Sequence, residues 1–326
     1  MERRPIGGLS VWPIGLGCYP LTGGYGPVEP AEAIRTIHAA LDSGVELLDT
    51  SDAYAGGANE ALVGRALAGR RYQAVLATKF GWVVDAQGLP VGLDSSPARV
   101  RAACEASLRR LRIDTIDVYF QHRVDPSTPI EDTVDELGRL VSEGKVREFG
   151  LSEAAETTLR RARRAGPLAA LQTEYSLWFR DPETSLLPVC EELGVTFVAY
   201  SPLGRGLLAG SVTDRADLDP ADDRRNHPRF EPAHLERNLE LVSGLTSIAQ
   251  GLGLTAAQLA LAWVLVRPGA VALVGTRRAH HLAEDLRSLE RPLGAQTLAQ
   301  LDERFRPGSG SGARHPASHL PTIDRG

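Results

Sequence analysis

Eight short apolar runs of strand length alternate with helical segments along this chain, and no other feature restricts its fold so much. The runs are 14–17, 45–48, 74–78, 116–121, 146–152, 169–172, 196–201 and 271–274. Their length and apolar content mark them as buried strands. A helix opens at Pro30-Ala31-Glu32, carries Ile34, Ile37, Ala40 and Leu41 on one face, and stops at Gly44. Further helices are expected over 59–68, 97–111, 155–165, 184–193, 236–251, 255–266 and 279–289. Another opens at Thr128-Pro129-Ile130-Glu131 and runs through Ser142, with Pro129 suited to a first helical position. Gly7-Gly8 sits between extended segments as a hairpin turn. Residues 211–234 are polar and proline-bearing, a long loop, and the tail 306–326 is glycine- and serine-rich, flexible unless the body captures it. No Pro/Gly-rich linker divides the chain. Eight βα units in 326 residues therefore predict one α/β domain over 1–326, a single (β/α)8 TIM barrel with an N-terminal β-hairpin and long loops on its C-terminal face.

Three of these strands deliver ionisable groups to one end. The run 45–48 leads into Asp49, with Tyr54 five residues later; 74–78 leads into Lys79; 116–121 leads into His122. In a barrel the C-terminal strand ends form the site, so an acid, a phenol, an amine and an imidazole are brought together there. Lys79 and Lys145 are the only lysines in a chain otherwise supplied with arginine. An arginine cannot replace a compact amine in a tight site, so Lys79 draws attention, while Lys145 in Glu143-Gly144-Lys145 reads as a turn residue.

Composition excludes some function classes. A formal net charge of -5 offers no polybasic face for nucleic acid or anionic lipid. No apolar run has the length of a membrane span, and Met1-Glu2-Arg3-Arg4-Pro5 lacks a signal-peptide core. Cys18, Cys104 and Cys190 are odd in number and lack metal-ligand spacing, so free thiols in a cytoplasmic protein are expected, with no metal site. Gly204-Arg205-Gly206-Leu207-Leu208-Ala209 fits a loose dinucleotide pattern. It lies late in the chain rather than at the first strand-to-helix turn, which excludes a Rossmann reading.

Several stretches in order resemble the aldo-keto reductases. They are Asp49-Thr50-Ser51-Asp52-Ala53-Tyr54, Thr78-Lys79-Phe80-Gly81, Gln121-His122-Arg123-Val124-Asp125-Pro126 and Gly150-Leu151-Ser152-Glu153-Ala154. Gln172-Thr173-Glu174-Tyr175-Ser176-Leu177-Trp178, Tyr200-Ser201-Pro202-Leu203-Gly204-Arg205-Gly206 and Gly275-Thr276-Arg277-Arg278 continue the series. The Leu-Trp and Leu-Gly-Arg-Gly versions resemble the branch that includes pyridoxal reductases and plant alkaloid or auxin-related reductases.

The resemblance implies NADPH-dependent reduction of an aldehyde or ketone to an alcohol. It implies a catalytic tetrad of Asp49, Tyr54, Lys79 and His122, with Tyr54 as general acid, Lys79 lowering its pKa, Asp49 holding Lys79, and His122 orienting the carbonyl. It further implies that Ser152 and Gln172 hold the nicotinamide carboxamide and that Tyr200 stacks on the ring. Ser201, Leu203, Gly204 and Arg205 follow the pyrophosphate. Gly275, Thr276, Arg277, His281, Glu284 and Asp285 match the adenosine end. Many members carry Asn, Arg and Asn where this chain has Glu153, His281 and Asp285. Tyr25, Trp82, Trp178 and the segment 226–230 with Phe230 are expected as walls for a small-molecule carbonyl substrate. Potassium-channel beta subunits share the resemblance, so the alternative is a regulatory NADPH-binding module with little turnover. The sequence leaves the oligomeric state open.

Overall fold

The computed structural model describes residues 2–85 and 88–326. Eight parallel strands close into a barrel: β1 (Ile14–Gly17), β2 (Leu47–Asp49), β3 (Val75–Phe80), β4 (Ile116–Gln121), β5 (Val146–Ser152), β6 (Ala170–Glu174), β7 (Thr196–Tyr200) and β8 (Val271–Gly275). Closure is made by β8 against β1, where Ala272 pairs with Ile14 and Gly275 with Gly17. Strands β4 and β5 and the helix Pro97–Leu111 have the bounds read from sequence.

Residue parity along each strand explains the layout. Leu47, Ala77, Val118, Phe120, Ala170, Val198 and Leu273 share one buried apolar cluster in the barrel interior. Their strand neighbours Leu48, Leu76 and Tyr119 pack instead with the surrounding helices. Side chains alternate faces with a period of two. Asp49, Lys79, His122, Gln172 and Tyr200 each stand two residues beyond an interior residue. They therefore continue the inward row at the C-terminal mouth, where barrel sites lie.

The bottom is sealed by the hairpin Arg4–Ile6 and Leu9–Val11, whose Ile6, Leu9 and Val11 join the interior cluster. Gly7 takes a φ of 57° at its turn. Residues 204–209, which mimic a dinucleotide motif, begin in a 3-10 turn, Gly204–Gly206, after β7, with Arg205 at φ 59°. Among the described residues no single helix is long and apolar enough to cross a membrane, and Cys18, Cys104 and Cys190 are buried free thiols.

Three elements depart from expectation. A small antiparallel hairpin, Trp82–Val84 with Pro90–Leu93, follows β3. A helix, Ala295–Arg304, precedes the tail, and the helix expected to begin at 236 begins at Pro232. The tail is captured by the body. Ser311 exchanges backbone hydrogen bonds with the Asn238 side chain, 2.8 and 2.9 Å, and Asp324 accepts from the Ala155 amide at 2.9 Å.

Barrel closure gives a direct test at Gly150. It pairs with Phe120 on β4 and Ala170 on β6. A Cβ there would lie 2.5 Å from a Phe120 ring carbon and 2.6 Å from the Ala170 carbonyl oxygen. The second neighbour is backbone and cannot swing aside. Gly150→Ala should destabilise the fold by about 1–3 kcal/mol. Urea unfolding measures it, and an unchanged midpoint would contradict the packing described.

Candidate active site

Asp49 and Lys79 form a buried ion pair at the barrel mouth. Lys79 Nζ donates to Asp49 Oδ1 at 2.5 Å and to the Thr50 carbonyl at 2.8 Å, and lies 3.4 Å from the Tyr54 hydroxyl. Gln172 Nε2 donates to the other Asp49 oxygen at 2.9 Å. The carboxylate is thus fixed from two sides, and the amine is fixed by the carboxylate. Removing either charge would strand the other in a dry site.

Tyr54 reaches the pair from a tight turn in which Ala55, Gly56 and Gly57 all have positive φ. Asn59, at the start of the following helix, ties this turn down. Its side chain accepts from Thr50 Oγ1 and donates to the Cys18 carbonyl and Thr22 Oγ1. The His122 ring lies edge-on to Tyr54, 5.7 Å between centroids, and its Nδ1 is 3.1 Å from Ser51 Oγ. Burial, then the charges of Lys79 and Arg123, hold His122 well below the usual imidazole range. It is neutral at physiological pH.

The Tyr54 phenol lies beside this ion pair. Burial and then the Asp49 carboxylate push it well above the usual tyrosine value, opposed chiefly by Arg123 and Arg205. Tyr54 therefore stays protonated in the resting site.

A cavity of about 800 Å³ runs from the tetrad across the mouth to Thr276, Arg277 and Arg278. Ser152, Gln172, Tyr200, Ser201, Leu203 and Arg205 line its middle, and Gly275, His281, Glu284 and Asp285 its far end. Gly204 is buried beneath the wall, with Leu208 against it. Of the expected substrate walls, Tyr25, Trp82 and, from the segment 226–230, His227 line the cavity. Trp178 and Phe230 do not. Trp178 packs on Phe305, 6.0 Å between ring centroids, in a smaller cavity under the tail. Phe230 is fully buried in a 3-10 turn whose Arg229 pairs with Glu174 at 2.6 Å.

The donors along this cavity fit a nicotinamide dinucleotide phosphate. Ser152 Oγ is buried and has no hydrogen-bond partner among the described residues, an orphan that a carboxamide would satisfy. Arg205, Arg277 and Arg278 make no ion pair with a carboxylate among the described residues, which leaves three cations for phosphates. Burial lowers the His281 pKa, so the charge for a 2′-phosphate falls to Arg277 and Arg278. Burial, then Glu284, raises Asp285 to about 7. Partly protonated, it can donate as an asparagine would.

The tail adds groups that the sequence did not reveal. Arg314 forms a two-pronged ion pair with Glu153, and its guanidinium lies 4.4 Å from the Phe179 ring centre. Glu153 also accepts from the Tyr200 hydroxyl at 2.7 Å and from Thr173 Oγ1 at 3.0 Å. Its φ of 54° is left-handed, a conformation easier for Asn than for Glu. The ion pair and Tyr200 contact offset that strain. His315 is buried with Nε2 3.4 Å from the Tyr200 hydroxyl, and His319 lies 6.2 Å from Trp82, between ring centres.

With this geometry in view, the comparisons with known proteins are decisive. The sequence model described as the Aldo/keto reductase family matches residues 13–305. The chain belongs to that family. It is 41% identical over 313 residues to Probable aldo-keto reductase 1 of Glycine max, covering 94% of this chain and 89% of the relative. A solved glycerol dehydrogenase from Gluconobacter oxydans superposes with a TM-score of 0.86 at 32% identity, covering 96% of this chain and 98% of that one. An aldo-keto reductase from Klebsiella pneumoniae, solved in complex with NADPH, gives a TM-score of 0.74 at 29% identity, covering 94% and 96%.

The tail latch generates a prediction. Glu153 sits at about 2, lowered most by Arg314 against the opposing effect of burial. A depressed acid contributes stability that is present above its unfolded value and lost as pH falls through the folded one. The latch should hold above about pH 4.5 and release as pH falls toward 2. At neutral pH, Arg314→Met should speed amide hydrogen exchange over residues 311–324 and lower the thermal midpoint. Exchange at the wild-type rate would mean that the pair does not hold the tail.

Proposed function

We propose that this chain is an NADPH-dependent oxidoreductase that reduces an aldehyde or ketone to the corresponding alcohol. The observation that carries the reading is the position of Lys79 Nζ, shared between Asp49 Oδ1 and the Tyr54 hydroxyl in a buried site. When bound, the cofactor supplies the hydride. The protein must then protonate and stabilise a carbonyl oxygen on which negative charge develops.

Tyr54 is protonated at rest and transfers its proton as that charge appears. The phenolate oxygen left behind faces the Lys79 ammonium, which stabilises it most when it is charged. Asp49 and the Thr50 carbonyl hold the ammonium against drift. Ser51 Oγ, 3.1 Å from Nδ1, fixes the His122 ring, and in the tautomer that carries its proton on Nε2 His122 donates to the same carbonyl oxygen. Neutrality suits it for orientation and leaves proton transfer to Tyr54. Ser152 and Gln172 are placed to hold the carboxamide, Tyr200 to support the ring, and Arg205, Arg277 and Arg278 to bind the phosphates.

The alternative, a regulatory NADPH-binding module with little turnover, has no specific observation in its favour. A module of that kind has no need of the buried tetrad, whose ion pair is costly to bury. The Klebsiella relative was solved with NADPH, and the Gluconobacter relative is a glycerol dehydrogenase. A fitting panel therefore includes glyceraldehyde with pyridoxal and simple aldehydes, with NADPH and NADH in parallel.

Wild type should oxidise NADPH with at least one carbonyl of that panel. Tyr54→Phe should lower kcat/KM by about 10²–10⁴-fold with NADPH affinity nearly unchanged, because the hydroxyl acts only as charge develops. Cofactor binding by fluorescence and turnover by absorbance are read on the same sample. Tight NADPH binding by wild type without turnover of any carbonyl would favour the module instead.

A further inference from the structure

Arg123 follows His122 directly, and its side chain lines the cavity beside Trp82 and His122. The residue is 8% exposed. Its one hydrogen bond among the described residues runs from a terminal nitrogen to the His122 carbonyl at 2.7 Å. Its Nε is buried and has no partner, and the side chain forms no ion pair among the described residues. The carboxylates around it have cations of their own: Asp49 has Lys79, Glu153 has Arg314, and Glu174 has Arg229. Arg123 is therefore a surplus positive charge at the substrate end of the site.

A guanidinium does not shed its proton to escape burial. A buried charge without a counterion is costly, and proteins retain such groups where function needs them. The field of Arg123 reaches both reacting groups, opposing the upward push on Tyr54 and adding to the downward push on His122. Its planar fork matches a carboxylate in two-pronged geometry. One surplus charge is balanced by a monoanion, whereas a phosphate dianion would overshoot it.

We propose that Arg123 binds a carboxylate on the substrate, so that this chain favours aldehydes or ketones that carry one. The inference rests on the carbonyl-reductase reading and names the substrate class of that same site. The plainer role, in which Arg123 only keeps His122 neutral and balances nearby acids, affects charged and uncharged substrates alike. A ratio of two substrates separates the two.

The experiment compares kcat/KM for 4-formylbenzoate and 4-formylbenzamide, alike in shape and different in charge, with NADPH and the full chain. Wild type should prefer the benzoate by about tenfold or more, mainly through KM, as expected for one charge-assisted contact. In Arg123→Met the ratio should fall to near one, and Arg123→Lys should retain part of it. Equal efficiency on both aldehydes in wild type, or a preference that survives in Arg123→Met, would overturn the carboxylate assignment and leave the reductase reading intact. Should Arg123→Met not fold, the wild-type and Arg123→Lys ratios still decide the matter. Wild type inert toward both aldehydes while it reduces another carbonyl of the panel would overturn this inference alone, and wild type inert toward every carbonyl would overturn the reductase reading with it.

Discussion

The buried contact between Asp49 and Lys79 organises the mouth of this barrel because neither charge tolerates the site alone. A hydrophobic pair would suit the fold better, so the pair needs a chemical reason. That reason is the third neighbour, Tyr54, whose hydroxyl lies within reach of the ammonium. The surrounding polar groups serve the same geometry: Gln172 holds the second carboxylate oxygen, the Thr50 carbonyl holds the ammonium, and Asn59 holds the turn that carries Tyr54. The barrel supplies these positions because strand side chains alternate, so the row that fills the interior ends in the row for which we propose the chemistry.

Charge is distributed along the cavity in a pattern that follows from this pair. At the tetrad the charges cancel. Along the middle and far end, Arg205, Arg277 and Arg278 form no ion pair with a carboxylate among the described residues, which suits a polyanionic cofactor. Near Trp82 and His122 the acids Asp49, Glu153 and Glu174 are paired, and Arg123 forms no ion pair among the described residues. Glu153 occupies a left-handed position and joins the C-terminal tail to Tyr200 through one carboxylate. The tail thus lines the cavity with His315 and His319 and is joined to Tyr200 through Glu153.

Much of this was legible in the sequence, for identifiable reasons. Strands such as Val271–Gly275 announce themselves by unbroken apolar runs, and the helix Pro97–Leu111 by a proline at its start. Strand ends in Asp49, Lys79 and His122 then follow from the barrel rule. Local signals failed where burial is decided at long range. The helix Ala295–Arg304 buries only Leu301, too little to show a period. The hairpin Trp82–Val84 with Pro90–Leu93 leaves Val91 exposed and has no clean alternation. The hold on the tail depends on Arg314 meeting Glu153, 161 residues away, which no local pattern encodes. Trp178 and Phe230 had the composition of pocket walls, but packing against Phe305 and the turn at Arg229 removes them from the cavity. Lys145 proved a surface residue paired with Glu105 and Glu143, so scarcity of lysine carried no functional signal there.

The central claim is that a compact amine at position 79 does chemistry and is more than a partner for Asp49. Lys79→Arg tests it, because it keeps the charge and changes its shape. Single-turnover hydride transfer is measured with thermal unfolding on the same sample. The account predicts a folded protein with a modest loss of stability and transfer slowed by about a hundredfold or more, since Tyr54 loses the point charge that supports its proton transfer. A folded Lys79→Arg variant with transfer at the wild-type rate would contradict it, and would leave Lys79 as a structural counterion to Asp49.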